Sequence, residues 1–339
     1  MLRIASCFAS GFRPWGALSH SLLLGAALWL APRPGCAQAP APAGTNLHYR
    51  VVNATGRFAD RDCFWSLDAG AHWHSLADEP RVDCPRGNGR LYFRLGPAPR
   101  DFADRDALWD FIEYASENNT TWHGNTTQVD AFCLPITIAM DGHRVGLAGG
   151  RAALFADFRR RAPGPFQSCL RGDQWIVAPG AAAFAADQPA AHYFDNYINS
   201  VWAKYAAGGL TPSGKWRGSV DAQGALTFRP VQSGPTYVCA AKPSTQDAFL
   251  GTGVLATNAP FCAAINRHVL DDPDNWARPA AFYQADPCNW YAKILHEHTL
   301  DHHAYGFCYD DVAEQAAFFS GHGSEVLVTL HWDKPAAIK

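Results

Sequence analysis

The chain has almost no net charge, very little methionine and no paired-cysteine motif. Its 28 Lys and Arg against 31 Asp and Glu leave a formal charge of -3 over 339 residues. No basic field exists to hold phosphate backbones or an anionic bilayer, which argues against nucleic acid as a partner. The absence of any Cys-x-x-Cys pair removes zinc ribbons and redox dithiols. Beyond the first thirty residues no run approaches the roughly 18 apolar residues of a membrane helix. Gly251-Thr252-Gly253 lacks the rest of a dinucleotide fingerprint, and neither a serine nucleophile elbow nor a phosphate loop occurs. The sequence therefore implies no cofactor.

Aromatic residues are abundant, with 12 Trp, 11 Tyr and 20 Phe against 2 Met. Rings with apolar faces and polar edges suit a carbohydrate as well as a core. At the amino terminus, Arg3 and Arg13 precede an apolar run from Leu18 to Leu30 and a small-x-small site at Ala37-Gln38-Ala39. This is the pattern of a secretory signal peptide over 1–39, with the mature protein exported and free of the membrane. Removing Cys7 and Cys36 with the leader leaves eight cysteines, enough for up to four disulfides in an oxidising compartment. Asn53, Asn118, Asn119 and Asn125 each open an Asn-x-Thr sequon, which carries glycan only in a eukaryotic host.

Short alternating segments such as "LHYRVVNATG", "RLYFRL" and "ALWDFIEYAS" predict antiparallel β structure up to about residue 150. Asp141-Gly142 is a hairpin turn signal inside "VDAFCLPITIAMDGHRVG". The pattern then changes. "RAALFADFRRRA", "PAAHYFDNYINSVWAKYAAGG" and "PFCAAINRHVL" predict helices, and "GKWRGSVDAQGALTFRP" predicts a hairpin. "PCNWYAKILHEH" is a further helix, while "AYGFCYDDV" and "SEVLVTLHWD" return to strand character. The result is a β domain interrupted by a mixed α/β segment.

Two acids in "FIEYASENNTTWHGNTTQVDAFCLPI" are the best candidates for chemistry, because glycosidic hydrolysis needs a proton donor and a second carboxylate. Glu113 and Asp130 stand seventeen residues apart. Two neighbouring antiparallel strands would place them on one side of a sheet, with Phe111 and either Val129 or Ala131 turned away. On spacing alone they are equally well two solvated surface charges.

The segment Val129 to Ile136 resembles the signature of thaumatin-like proteins, and "FIEY" resembles their upstream acidic element at the same seventeen-residue step. The terminal "NWYAKILHEHTLDHHAYGFCYDDV" resembles their carboxy-terminal region. From Leu47 to Trp332 the chain resembles glycoside hydrolase family 64, the β-1,3-glucanases, through "VVNATG", "WDFIEY", "NTTQVDAFCLPI", "YFDNYINSVWAKY" and "GSVDAQGALTF". That resemblance implies a fold that is mainly β with α/β. A thaumatin-like antiparallel β barrel or sandwich (45–150 with 286–335) would carry an inserted mixed α/β domain (151–285), with a groove between them. It also implies a monomer acting on β-1,3-glucan.

The resemblance makes Glu113 the general acid and Asp130 the general base of an inverting hydrolysis, with the carboxyl of Glu113 raised and Asp130 ionised. It implies sugar contacts from Trp122, Thr127, Asn125, Glu117, Tyr305, Asp310 and Asp311, and Asp195 on the helical segment is placed to reach the groove from the second domain. Ala115, Glu117 and Cys133 depart from the family pattern, and Cys133 is read as a disulfide partner or a buried thiol. A thaumatin-like glucan-binding protein without turnover, and a secreted interaction protein unrelated to sugar, are the competing readings. The histidines of "HEHTLDHH" are read as structural, since the spaced zincin motif is absent.

Overall fold

The computed structural model describes residues 47–97 and 107–333; the leader, Cys36 and the cleavage site lie outside the described residues. In chain order the first strands are β1 (His48–Asn53), β2 (Cys63–Ser66), β3 (His74–Ser75), β4 (Arg81–Asp83), β5 (Gly87–Leu95) and β6 (Leu108–Ser116). Then follow β7 (Thr121–Thr126), β8 (Ala131–Phe132), β9 (Ile136–Met140) and β10 (His143–Gly146). The helical part contains α1 (Arg151–Arg161), α2 (Gly164–Gln167), β11 (Leu170–Arg171), β12 (Trp175–Val177) and α3 (Asp195–Tyr205). It continues with β13 (Gly209–Leu210), β14 (Trp216–Val220), β15 (Leu226–Pro230), β16 (Tyr237–Cys239), α4 (Thr245–Leu250), α5 (Ala259–Asn266) and α6 (Trp290–His298). The last strands are β17 (Phe318–His322) and β18 (Glu325–Leu330).

Among the described residues, a five-stranded sheet runs β10-β9-β18-β1-β4 and a six-stranded sheet runs β17-β7-β6-β5-β2-β3. They share one core, in which Tyr49, Ile138, Val326 and Val328 of the first meet Leu91, Phe93, Ile112, Tyr114, Trp122 and Phe319 of the second. Alternation decides which side chains enter it. In β17 burial alternates exposed, buried, exposed, buried, exposed. One expectation needs correction: β1 and β18 pair in parallel, although the other pairs in these two sheets are antiparallel. A chain that returns to lie beside its first strand in the same direction allows this without a hairpin. "AYGFCYDDV" is also not a strand: Gly306 and Asp310 form a turn closed by the Gly306 N–H donating to the Asp310 carboxyl.

A second apolar cluster is built from the helices, with Phe158, Phe166, Phe194, Trp202, Phe261, Ile265, Tyr291 and Leu295 among its buried members. α3 and α6 present apolar faces to it. α6 starts under an Asn289 cap that accepts from the Ala292 N–H, and α4 carries a full capping box between Ser244 and Asp247. The predicted turn at Asp141-Gly142 forms with positive φ at both residues, as a tight hairpin requires.

The expected disulfides are not seen: Cys63, Cys84, Cys133, Cys169, Cys239, Cys262, Cys288 and Cys308 are all free thiols. Six of them are buried and serve as small apolar side chains. Among the described residues no helix is long and apolar enough to cross a membrane.

Candidate functional site

The six-stranded sheet has an outer face turned away from the shared core, and its register aligns four side chains in one row across it. Arg90 of β5 lies opposite Glu113 of β6, Glu113 opposite Asn125 of β7, and Asn125 opposite Phe318 of β17. Directly opposed residues point to the same face, so the row is continuous. Phe111 lies on this face too, two residues from Glu113, and not on the opposite one as expected. Residues i and i+2 of a strand share a side.

Arg90 organises the row. Its Nε and Nη2 donate to Glu113 Oε1 at 3.1 and 2.8 Å, and its Nη1 lies 3.6 Å from Asp130 Oδ2. The guanidinium sits 4.2 Å above the Phe111 ring. Burial disfavours its charge, but Glu113 and Asp130 more than restore it and hold Arg90 above the ordinary arginine range. The three charged side chains are each about one-fifth exposed, at 20, 19 and 17 % for Arg90, Glu113 and Asp130. A rigid fork paired with both carboxylates keeps the two nearest oxygens within about 9 Å of each other.

Asp130 does not sit on a strand neighbouring Glu113, as expected, but in the loop between β7 and β8. That loop is pinned on all sides. The Thr126 N–H donates to Ala317 O and the Gln128 N–H to Tyr305 O; Tyr291 Oη donates to Gln128 O at 2.7 Å. The Ala178 N–H donates to Asp130 O, and β8 pairs with β12 just beyond. Asp110 of β6 accepts from the Cys133 and Leu134 N–H groups at 3.0 and 3.1 Å, and Arg151 Nε donates to Cys133 O at 2.6 Å. Asp110 is buried, and burial pushes its carboxyl up to about 7 against the pull of its three backbone donors. Asp130 is also raised: burial is the main cause, Glu113 adds to it and Arg90 opposes it.

The remaining expected site residues divide. Asn125 stands in the row, 8 % exposed, and its Oδ1 has no hydrogen-bond partner among the described residues. Tyr305 is close by: burial raises its phenol first, then the charges of Asp311 and Glu113. Asp311 is exposed. Glu117 lies past the end of β6 and pairs with His123 at 3.4 Å.

Three expectations are overturned in their detail. Trp122 is fully buried on the inner face, where its Nε1 donates to Tyr49 Oη and its ring packs on Phe319, so no sugar can stack on it. Its position follows from parity, because Trp122 opposes Ser116, which is on the buried side of β6. Thr127 is fully buried and its hydroxyl accepts from the Val129 N–H, shaping the loop and not meeting solvent. Asp310 is buried between Arg267 and His296, and does not line an acidic cleft. Burial opposes its charge, yet His296, Arg267 and the Gly306 N–H hold its carboxyl below the usual range. Asp195 heads α3, partly exposed, paired with His192 and accepting from Thr245.

Of the four histidines singled out, His296 bonds Asp310, His298 bonds Asp157 and His302 bonds the His296 carbonyl; α6 ends at His298. Sequence reasoning missed Arg90 and Phe318. Arg90 had a signal, since Arg90, Tyr92 and Arg94 alternate through "RLYFRL" and three polar-edged residues on one strand face mark a face that is not core.

Residues 96–329 match the family model of glycoside hydrolase family 64, described as β-1,3-glucanase. A glucan endo-1,3-beta-glucosidase of Cellulosimicrobium cellulans and one of Arthrobacter sp. (strain YCWD3) are each 24 % identical over 301 residues, covering 74 % of this chain and 53 % of theirs. The chain spans about half the length of these curated relatives. A laminaripentaose-producing β-1,3-glucanase from Paenibacillus barengoltzii, solved with laminarihexaose, superposes with a TM-score of 0.66 at 26 % identity, over 86 % of this chain and 76 % of that one. A β-1,3-glucanase domain from Clostridium beijerinckii superposes with a TM-score of 0.71 at 24 % identity, over 87 % of this chain and all of that one.

Proposed function

The chain belongs to glycoside hydrolase family 64, the β-1,3-glucanases, and from that premise we propose that it is an exported endo-β-1,3-glucanase acting on laminarin- or curdlan-type glucan. The observation that carries the reading is the single guanidinium of Arg90 in contact with both Glu113 and Asp130 on the open face of a sheet. Two carboxylates within reach of one sugar are what glycosidic hydrolysis requires. The mechanism proposed is inverting. Glu113 protonates the departing glycosidic oxygen while Asp130 takes a proton from the water that attacks the anomeric carbon from the opposite face. Inversion needs the carboxyl groups about 6.5–9.5 Å apart, a span the Arg90 bridge permits.

In this reading the two packed sheets form a thaumatin-like body, the helical residues 151–285 form the second wall, and the glucan lies in a groove between them. Asn125, Tyr305 and Asp311 contact the sugar. Residues 1–39 act as the export leader. A relative solved with laminarihexaose supports the choice of substrate.

A second reading exchanges the two roles, and one observation favours it. Burial raises the carboxyl of Asp130, whereas Glu113 receives two hydrogen bonds from Arg90. An acid holds its proton best where it is raised.

Release of reducing ends from laminarin and curdlan tests the activity. Glu113→Gln and Asp130→Asn are each expected to cut turnover by about 10³-fold or more while leaving glucan binding in place. Normal turnover by either variant would remove that residue from the mechanism. Binding by the wild type without release of reducing ends would make this a glucan-binding protein. An aryl β-1,3-oligoglucoside, whose leaving group needs no protonation, separates the roles. The variant lacking the general acid regains turnover on it, and the variant lacking the base does not. The anomer first released, read by NMR, tests inversion.

A further inference from the structure

Phe318 is the exposed aromatic of the row that holds Glu113. Among the described residues the large hydrophobics most open to solvent are Leu210, Val231, Val238 and Phe318. The first three lie on or beside the small sheet of β13 to β16. Phe318, 41 % exposed, stands two strands from Glu113 with Asn125 between them. At the usual strand spacing this puts it roughly 10 Å from Glu113, beside the sugar that neighbours the one whose bond is cut.

Nothing in the packing of β17 requires an aromatic at this position. Its neighbour Phe319 already fills the core side, 6 % exposed against Trp122 and His143, so the strand is anchored without Phe318. Between Phe318 and Glu113, Asn125 buries an amide oxygen that no group among the described residues satisfies. A buried acceptor without a donor is costly, and a sugar hydroxyl is a donor of the right kind. The next row continues the polar surface, with His123 Nδ1 and Ser320 Oγ 2.7 Å apart.

We propose that Phe318 is a sugar-stacking platform, and that with Asn125 it forms a glucosyl subsite adjoining the two carboxylates. The axial C–H groups on one face of a β-glucosyl ring lie against the electron-rich face of the phenyl ring. A hydroxyl at the edge of the same sugar donates to Asn125 Oδ1. The stacking role that the sequence suggested for Trp122 thus falls to a residue on the other face of the same sheet. This rests on the proposed β-1,3-glucan substrate.

Retardation of the full chain in native gels containing laminarin reads the platform without needing turnover. Phe318→Ala is expected to weaken laminarin retention about five- to tenfold, and Phe318→Trp to restore it. Unfolding midpoints check that each variant is folded; Phe318→Leu, apolar but without a flat face, replaces the alanine variant if that one is not. Retention equal to wild type in a folded Phe318→Ala or Phe318→Leu protein overturns the platform while leaving the hydrolase reading intact. Loss of retention in these variants of a wild type that binds laminarin without hydrolysing it upholds the platform and overturns the hydrolase reading. A wild type that binds no β-1,3-glucan overturns both.

Discussion

The two faces of the six-stranded sheet are built from the same strands with opposite chemistry. The inner face presents Leu91, Ile112, Tyr114, Trp122 and Phe319 to a shared core, while the outer face carries Arg90, Glu113, Asn125 and Phe318. Adjacent residues of β17 make the contrast plain: Phe318 is 41 % exposed and Phe319 is 6 % exposed. Identity of side chain therefore does not tell a ring's purpose in this sheet. Parity along the strand does, and it separates an aromatic that holds the fold from one positioned for a ligand.

The comparison is broken most severely from inside. Trp122→Ala removes the largest fully buried side chain and is expected to cost about 3–5 kcal/mol of unfolding free energy, measured by urea denaturation. Loss of glucan binding with stability unchanged would instead return Trp122 to the sugar site. On the outer face Arg90→Met should lower kcat/KM about tenfold or more. It should also move the acidic limb of the rate profile to higher pH, because Arg90 is the group that opposes the upward shift of Asp130. An unshifted limb would separate Arg90 from the protonation of Asp130.

The smallest effect is expected at the far sheet, where burial lowers His331 to about 4. His331 is neutral in the folded chain at pH values where the unfolded chain protonates it, from about 6.5 downward. It therefore contributes a loss of stability as pH falls from about 6.5 to about 4. His331→Gln should flatten unfolding free energy over that window, read from denaturation midpoints at several pH values, and leave the outer face's pH–rate profile alone.

Much of the architecture was legible because hydrophobic periodicity is local. β5, β6, β18, α1, α3, α5 and α6 fall within the segments whose pattern predicts them. Glu113 and Asp130 were singled out by the motifs around them, and Arg90 reaches both. What could not be read was anything set by register between distant segments. Trp122 sits in a polar stretch, "NNTTWHGNTT", which gives no hint that it is buried. Only its pairing opposite Ser116 of β6 and its contact with Tyr49 decide that. Phe318 comes to Glu113 through β17 adding beside β7, about two hundred residues downstream. Asp310 looked like part of an acidic cleft, but its partners Arg267 and His296 come from other elements and draw it into the helical cluster.

The two carboxylates that Arg90 bridges are held by different frameworks. Glu113 is fixed by ladder hydrogen bonds on both sides, from β5 and β7. Asp130 rides on a loop fastened to Tyr291 of α6, to Tyr305 and to Ala178 beside β12. The gap between these two carboxylates is thus a measure of how the helices seat on the sheet. A substitution deep among the helices, touching neither acid, would detune the reaction by shifting one jaw of the vice against the other, and Arg90 is the spring that holds them in gauge.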